Sequence, residues 1–448
     1  MPTSYDAIVI GAGPAGEVAA SRLHAEGLRT ALVERELVGG ECAYWACIPS
    51  KTLLRPAEMR FEARRVAGTS EPEQRWREVA DYRDFMIRHL DDSKQVSDYR
   101  EEGVEVHKGE GRIVAERTVE VAGESLSAER IILANGSDPQ IPPIEGLEQA
   151  GYWTNREATT LTEIPASVVV LGGGPVGIEL GQFLRRFGAQ VTIVHDGSRL
   201  LAREEPRVGE LLADSLIGEG IDLRLGAEAT GVARAEGKRT VTLAGGALVS
   251  ADELLVATGR APRSADVGLQ AAGIEADRRG IKVDERCRAG EGVWAIGDVT
   301  GVMTFTHVAK YQARVACADI FGAPARADYG AIPRVVFCDP EIAAVGLTEA
   351  GARERGIDVA TASVTLADAI ARPWTYEQDP RGELGVIADR NRKVLIGAWA
   401  VSPLAGEWIH YAALAIKIQA PLAVLRDTVA QFPTYSEAYL KAIEALEI

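Results

Sequence analysis

Two stretches of the chain carry the same order of apolar and polar positions. Residues 6–34 run as an apolar strand, DAIVI, then a glycine turn, GAGPAG, a helix-like EVAASRLHAEG and a second strand, RTALVE. Short apolar runs bounded by turn residues predict buried strands, and apolar positions three to four apart predict an amphipathic helix. Residues 167–196 repeat the order as SVVVL, GGGPVG, IELGQFLRRFG and AQVTIVHD. The register is constant at 161 residues (172 minus 11). Gly11, Gly13 and Gly16 map onto Gly172, Gly174 and Gly177, Gly27 maps onto Gly188, and Glu34 maps onto His195. A lone G-x-G-x-x-G is a weak signal; two in one register, each after a strand and before a helix, are a strong one. The first glycine permits the tight turn, the second lets backbone approach a pyrophosphate, and the third lets helix pack on strand. The helix N-terminus then offers free N–H groups and a partial positive charge to the phosphates.

Two further segments resemble each other: ILANGSDP (132–139) and LLVATGRAP (254–262) each run an apolar strand into a small-residue turn. GVWAIGDV (292–299) ends an apolar strand on Gly297-Asp298, where a carboxylate can hold a sugar or ribityl hydroxyl. Residues 54–103 are charged and predict a solvated helical pair. Residues 104–131 alternate polar and apolar positions, as in a short meander. From about residue 331 the pattern changes to strands (VVFC, GVIAD, VLIGAWAV) and then helices (GEWIHYAALAIKI, SEAYLKAIEAL). That predicts an α+β domain without a third nucleotide motif. At 448 residues the chain is long for one core and predicts two to four domains.

Composition narrows the partners. Against 65 acidic residues stand 49 basic ones, a net charge of −16, which repels phosphate backbones and anionic lipid and argues against nucleic-acid or membrane-surface binding. No uninterrupted apolar run is long enough to span a bilayer. The opening MPTSYDAIVIGAG lacks a basic n-region, so no signal peptide is expected. Five cysteines in this length suit a reducing compartment, and the expected location is the cytoplasm.

The residue closing each repeat separates the two sites. Glu34 falls where a carboxylate accepts hydrogen bonds from a ribose 2′-hydroxyl, as for FAD or NAD. His195 removes that carboxylate from the second site, and Arg199 with Arg203 follow it, which favours a 2′-phosphate and hence NADPH over NADH. The competing reading is that Asp196 does the carboxylate's work one residue late.

GGECAYWACIPSK, residues 39–51, sets Cys42 and Cys47 five positions apart. Four uses compete: a metal site, a structural bridge, two buried hydrophobes and a redox couple. Zinc needs four ligands, and no second Cys or His pair stands at ligand spacing. The surroundings suit a redox couple. Gly39 and Gly40 let backbone approach a cofactor, and a helix beginning near Cys47 would favour its thiolate. Pro49 suits the first turn of that helix, and Lys51 adds positive charge one turn on. Cys287, Cys317 and Cys338 have no partner in sequence and read as structural.

The two repeats, GGECAYWACIPSK, ATGR (257–260), GD and a closing FPTYSEAY occur in an order that resembles the class I flavoprotein disulfide reductases. That family includes dihydrolipoamide dehydrogenase, glutathione reductase and mercuric reductase. The resemblance covers essentially the whole chain. It implies an α/β fold with two Rossmann-like dinucleotide-binding domains and a C-terminal α+β domain. Residues 1–148 and 266–330 would bind FAD, 149–265 NAD(P)H, and 331–448 would form a homodimer interface. By the same resemblance Gly11, Gly13, Gly16 and Glu34 would hold the ADP half of FAD, with Gly40 and Gly259 at its backbone approaches and Asp298 on the ribityl chain. Gly172, Gly174, Gly177, His195 and Arg199 would hold NADPH (or NADH). Cys47 would be the charge-transfer thiol and Cys42 the interchange thiol, with Lys51 and Glu179 near the flavin N5 and the nicotinamide. Hydride would pass to FAD and the electron pair to a Cys42–Cys47 disulfide, then to a small-molecule acceptor. No resident metal is implied.

The pattern breaks near the end. Dihydrolipoamide dehydrogenases and glutathione reductases carry His-Pro-x-x-x-Glu, whose histidine exchanges protons with thiols; here the stretch is FPTYSE, with Phe432 in its place and Pro433 and Glu437 retained. His410 reads as a core or interface residue, His307 as a shaper of the flavin pocket, and Tyr435 as a poor acid at neutral pH. Mercuric reductases also lack the histidine but end in a cysteine pair, whereas this sequence ends in EALEI. Trp45 between the thiols either narrows access or simply packs. The expected acceptors are therefore those that need no imidazole: a quinone, a metal ion or a small disulfide. Genuine dihydrolipoamide dehydrogenase activity is the alternative within enzymes, and a flavoprotein redox sensor the alternative outside them.

Overall fold

The computed structural model describes residues 2–448. By Cα proximity the chain forms two compact units. One comprises Met1–Pro49, Asp81–Gln140 and Gly259–Asp328; the other comprises Ser50–Ala80, Ile141–Thr258 and Tyr329–Ile448.

The first unit is built on an eight-stranded sheet. Thr3–Ile10 lies at its centre, parallel to Thr30–Glu34 on one side and Glu124–Leu133 on the other. Within Thr3–Ile10, Ala7 and Val9 join one buried cluster while Ile8 and Ile10 join another. Both faces of its second half are covered, which is why AIVI, residues 7–10, is continuously apolar and does not alternate. Helix Pro14–Ala25 covers one face and packs against helix Thr306–Ile320. Ala15, Ala19 and Ala20 on the former and Ala309, Ala313 and Ala316 on the latter belong to that cluster, and their short side chains let the helices approach closely. The expected meander is present as Gly111–Ala115, Thr118–Val121 and Glu124–Leu133. Glu105–Lys108 departs from it, extending the parallel sheet beside Thr30–Glu34.

The charged stretch 54–103 holds three α-helices where a pair was expected: Cys47–Arg65, Trp76–Met86 and Ser93–Glu102. The first starts on the second thiol itself, so its apolar onset lies inside the cysteine motif.

The second unit contains a four-stranded parallel sheet in the order Asp222–Leu225, Gln190–His195, Ser167–Leu171, Glu253–Val256. Helix Pro175–Arg186 packs on it through Ile178, Phe183 and Leu184, all fully buried. Trp76 and Phe187 ring Phe183 at 5.9 and 5.2 Å between centroids, so Phe183→Ala would cost about 3–5 kcal/mol. Residues 329–448 contribute a five-stranded antiparallel sheet ordered Pro333–Val336, Glu341–Gly346, Val394–Ser402, Glu383–Asp389, Val359–Thr365. Helices His410–Lys417 and Glu437–Glu444 pack on this sheet. This is the α+β arrangement expected from about residue 331. Two of its strands, EIAAVG and VATASVT, are alanine- and threonine-rich, and their weak apolar contrast hid them from the sequence reading. No helix among the described residues is long and apolar enough to cross a membrane.

Candidate active site

Each glycine turn is enforced by sterics. Gly11 has φ +102, and a Cβ there would lie 2.4 Å from Ala134 O; Gly172 has φ +119, with its Cβ 2.3 Å from Ala257 O. The two look-alike segments, ILANGSDP and LLVATGRAP, thus supply the same wall to the two turns. A side chain at Gly16 or Gly177 would clash with the carbonyl of Gly11 or Gly172. At Gly13 and Gly174, by contrast, a Cβ would meet nothing within 4 Å. Each leaves an open space beside a helix N-terminus whose first N–H groups lack side-chain caps. That is the room and polarity a pyrophosphate requires.

In the first unit Glu34 is 8% exposed, and both carboxylate oxygens are fixed by backbone. Ala12 N donates to Oε2 and Glu36 N to Oε1, each at 2.7 Å. A carboxylate so held retains lone pairs for a ribose hydroxyl. Gly40 has φ +62, and a Cβ there would meet Gly13 Cα at 2.7 Å, so the cysteine loop seats directly on the glycine turn. Gln140 N donates to Gly259 O at 2.9 Å, where the chain enters strand Arg260–Pro262.

Strands Ser137–Pro139 and Arg260–Pro262 pair with each other, and this aligns a donor chain. Arg260 Nε donates to Ser137 Oγ, which donates to Asp298 Oδ2, both at 2.7 Å. Burial raises the Asp298 carboxyl above its ordinary range, with Ser137 and Arg260 pulling the other way. A shielded carboxylate with a free oxygen suits a polyol. Together with the Gly13 cradle and Glu34, the unit fits an FAD moiety.

Cys42 lies on the short helix Gly40–Tyr44 and Cys47 opens the helix Cys47–Arg65. Thr306, the first residue of Thr306–Ile320, meets both. Its hydroxyl donates to Cys42 Sγ at 3.2 Å and stands 3.5 Å from Cys47 Sγ. The two sulfurs are not joined by a disulfide in this structure. Hydrogen bonding with Cys47 and then burial hold the Cys42 thiol well above its ordinary range, opposed by the Thr306 hydroxyl and the Lys310 charge. Trp45 packs on Tyr44 at 5.8 Å between centroids, and buried Tyr44 donates from its hydroxyl to Val38 O. His307 is exposed and stacks on Phe305 at 5.2 Å.

In the second unit Lys51 Nζ bonds Glu179 Oε2 at 2.7 Å. Glu179 Oε1 accepts Phe337 N at 2.9 Å, and Lys51 Nζ lies 4.6 Å from the Phe337 ring centre. A cavity of about 240 Å³ opens beside Lys51, between Phe337, Gln182, Arg186 and Glu341. Burial raises the Glu341 carboxyl to about 7.

At the close of the second repeat, the His195 ring lies against Gly173 and Gly197, with Nδ1 3.2 Å from Asp196 Oδ1. Arg199 is committed to its own loop, donating to Ala202 O at 2.8 Å and Glu204 O at 3.5 Å. Arg203 is exposed.

The closing segment differs from the cysteine site in character. Phe432 is 63% exposed. Glu437 Oε2, Tyr435 Oη and Tyr439 Oη are buried without a hydrogen-bond partner. Tyr435 stacks on Trp408 at 6.1 Å, and burial raises its phenol well beyond its ordinary value, which removes it as a neutral-pH acid. His410, expected in a core or interface, is exposed in this chain. Thr306, Ser137 and Arg260 escape a reading of the sequence. FTHVAKYQ draws notice there only for its histidine, and the other two meet through pairing of strands more than a hundred residues apart.

Residues 5–313 match the family described as pyridine nucleotide-disulphide oxidoreductase, and residues 332–443 match its dimerisation domain. A mercuric reductase of Lysinibacillus sphaericus is 34% identical over 444 residues, covering 97% of this chain and 81% of that protein. A dihydrolipoyl dehydrogenase of Thermus scotoductus is 35% identical over 455 residues, covering 99% and 97%. Among solved structures, the Cu(II) complex of the HOCl-induced flavoprotein disulfide reductase RclA from Escherichia coli matches with a TM-score of 0.89 at 27% identity, over 99% of each chain. The chain therefore belongs to the pyridine nucleotide-disulphide oxidoreductase family, as a flavoprotein oxidoreductase that uses FAD and NAD(P)H.

Proposed function

We propose that this protein oxidises NADPH in preference to NADH and passes the electron pair through a Cys42–Cys47 disulfide to a quinone, a metal ion or a small disulfide. The observation that carries the reading is the Thr306 hydroxyl, 3.2 Å from one sulfur and 3.5 Å from the other, which supports a pair able to join and part. Bound FAD supplies the two-electron carrier between coenzyme and disulfide. Gly11, Gly13, Gly16 and Glu34 would hold its ADP half, and Asp298 its ribityl chain.

The S–S bond takes two electrons and breaks into two sulfurs. Cys42 would take up one proton from solvent and Cys47 would be left as thiolate, in keeping with the raised Cys42 thiol. Cys42 is then the sulfur that meets the acceptor. Lys51 and Glu179 form an ion pair that would tune the flavin and gate hydride entry. His195, Arg199 and Arg203 are the side chains offered to a 2′-phosphate, Arg199 donating in addition to Ala202 O of its own loop.

Phe432 ranks the acceptor classes, with a small disulfide, whose leaving thiolate needs a proton, below the other two. A quinone or metal ion takes electrons without a proton from an imidazole. Relatives named mercuric reductase and a neighbour solved with Cu(II) support a metal-ion acceptor. The Thermus scotoductus relative favours a second reading, dihydrolipoyl dehydrogenase, and Phe432 weighs against it.

Residues 331–448 would pair two chains. Leu414, Ile418, Val424 and Phe432 are more than half exposed, and Val429 is 94% exposed. Apolar surface of this kind marks an interface. Anaerobic titration with NADPH tests the reading: two additional thiols per chain should become reactive, and bleaching of the flavin with no new thiol would refute it.

A further inference from the structure

In the first unit three consecutive residues, Arg88, His89 and Leu90, stand in the left-handed region, with φ of +55, +52 and +58. Residues with a side chain visit that region singly and unfavourably, and no glycine eases this turn. Such backbone persists only where its surroundings over-determine it, and an outlier of this kind is a reason to look for a function. The turn lies against the cysteine loop. Arg88 Nη1 donates to Tyr44 Oη at 3.3 Å, and its guanidinium carbon is 5.6 Å from the centre of the Tyr44 ring. Tyr44 is the last residue of Gly40–Tyr44, the helix that carries Cys42, and it is fully buried.

Asp92 holds the other side of the loop. It occupies the N-cap position of helix Ser93–Glu102, where an aspartate ordinarily accepts an N–H of its own helix, yet it makes no such bond. Its Oδ2 accepts Val38 N instead, and Lys108 Nζ as well, both at 2.7 Å. Val38 O in turn accepts the Tyr44 hydroxyl at 3.1 Å. One hydrogen-bonded circuit therefore runs from Arg88 through Tyr44 and Val38 to Asp92, and the stretch it encloses, 38–44, contains Cys42. Cys47 opens a separate helix. The approach of the two sulfurs thus depends on how residues 38–44 are held.

We propose that Arg88 and Asp92 are positioning residues for the cysteine pair: they clasp residues 38–44 so that Cys42 stays within bonding reach of Cys47, and this sets the balance between the joined and the parted sulfurs. The inference rests on the reading of Cys42 and Cys47 as one redox couple. Neither residue bonds a sulfur, and both act through the loop. Groups held in place beforehand lose less freedom when they join. The clasp therefore favours the disulfide, and releasing it makes the disulfide easier to reduce.

The test equilibrates the FAD-loaded protein anaerobically in mixtures of reduced and oxidised dithiothreitol. Two electrons pass per exchange: the Cys42–Cys47 bond breaks as the dithiothreitol ring disulfide closes. After an acid quench and alkylation, the peptide carrying both cysteines is weighed by mass spectrometry. Arg88→Met should lower the equilibrium constant for disulfide formation by about 10-fold, a potential about 30 mV more positive. Arg88 is exposed, so thermal unfolding should change little. Tyr44→Phe removes the hydroxyl that Arg88 meets and should give the same shift, as should Asp92→Ala from the other side. The Arg88→Met, Tyr44→Phe double variant should move no further than either single one, because the two share one contact. An unchanged potential in Arg88→Met overturns the proposal. So does a more negative one, which would mean that the clasp strains the bond, and so does a double variant whose shift is the sum of the two. A wild-type peptide that shows no oxidised pair in any mixture would overturn the couple itself, a failure distinguishable because no potential exists to be shifted.

Discussion

Phe432→His is the substitution in which this chain's departure from its relatives can be measured. Phe432 is 63% exposed, so its replacement disturbs little packing and the surface cost should stay within about 0.5 kcal/mol. Pro433 and Glu437 are already in place, and Glu437 Oε2 is buried with no hydrogen-bond partner. An imidazole N–H donated to that oxygen would satisfy it, worth about 1–3 kcal/mol for a group otherwise desolvated for nothing. The variant should therefore be as stable as the wild type or slightly more so. A positioned acid–base contributes roughly 10²- to 10⁴-fold, equivalent to about 3–5 kcal/mol of barrier. Turnover of lipoamide and glutathione disulfide should rise toward that range in Phe432→His, while quinone reduction stays nearly flat. The assay is steady-state NADPH oxidation with each acceptor in turn, alongside thermal unfolding. A wild type that already reduces lipoamide as fast as it reduces a quinone would refute the reasoning. So would a histidine variant that gains on every acceptor equally.

His195→Glu should erase or reverse an NADPH preference of about 10-fold in kcat/KM, equivalent to about 1.4 kcal/mol; a wild type that prefers NADH would instead give the ribose to Asp196. The Glu341 carboxyl is raised to about 7 in the folded chain from an ordinary value near 4.3. Its ionisation therefore costs nothing below the unfolded value, and stability falls as pH rises through the folded one. The loss is at most about 4 kcal/mol between acid and neutral pH. Glu341→Gln should flatten that part of the curve of unfolding free energy against pH, and an unchanged slope would count against the burial argument.

The repeat and its glycine register were legible because sterics leave no alternative. Gly11 and Gly172 abut carbonyls that only a missing side chain can pass, so the pattern must be written into the sequence. The Lys51–Glu179 pair was legible only through resemblance, since 128 residues separate its members. Position alone did not show that Arg199 also donates to Ala202 O within its own short loop. Thr306 was invisible for a different reason. Its importance comes from the start of a helix meeting a loop more than 250 residues away, and a threonine does not announce such a contact.

The claim on which the account stands is that Cys42 and Cys47 form one redox couple with unequal members. It is tested most directly by the long-wavelength thiolate-to-flavin absorbance of the two single serine variants of the FAD-loaded protein. Cys42→Ser should display that band without added reductant, because Cys47 is then left as an unpaired thiolate. Cys47→Ser should lack it under every condition. A band that persists in Cys47→Ser, or one absent from both variants, would contradict the account.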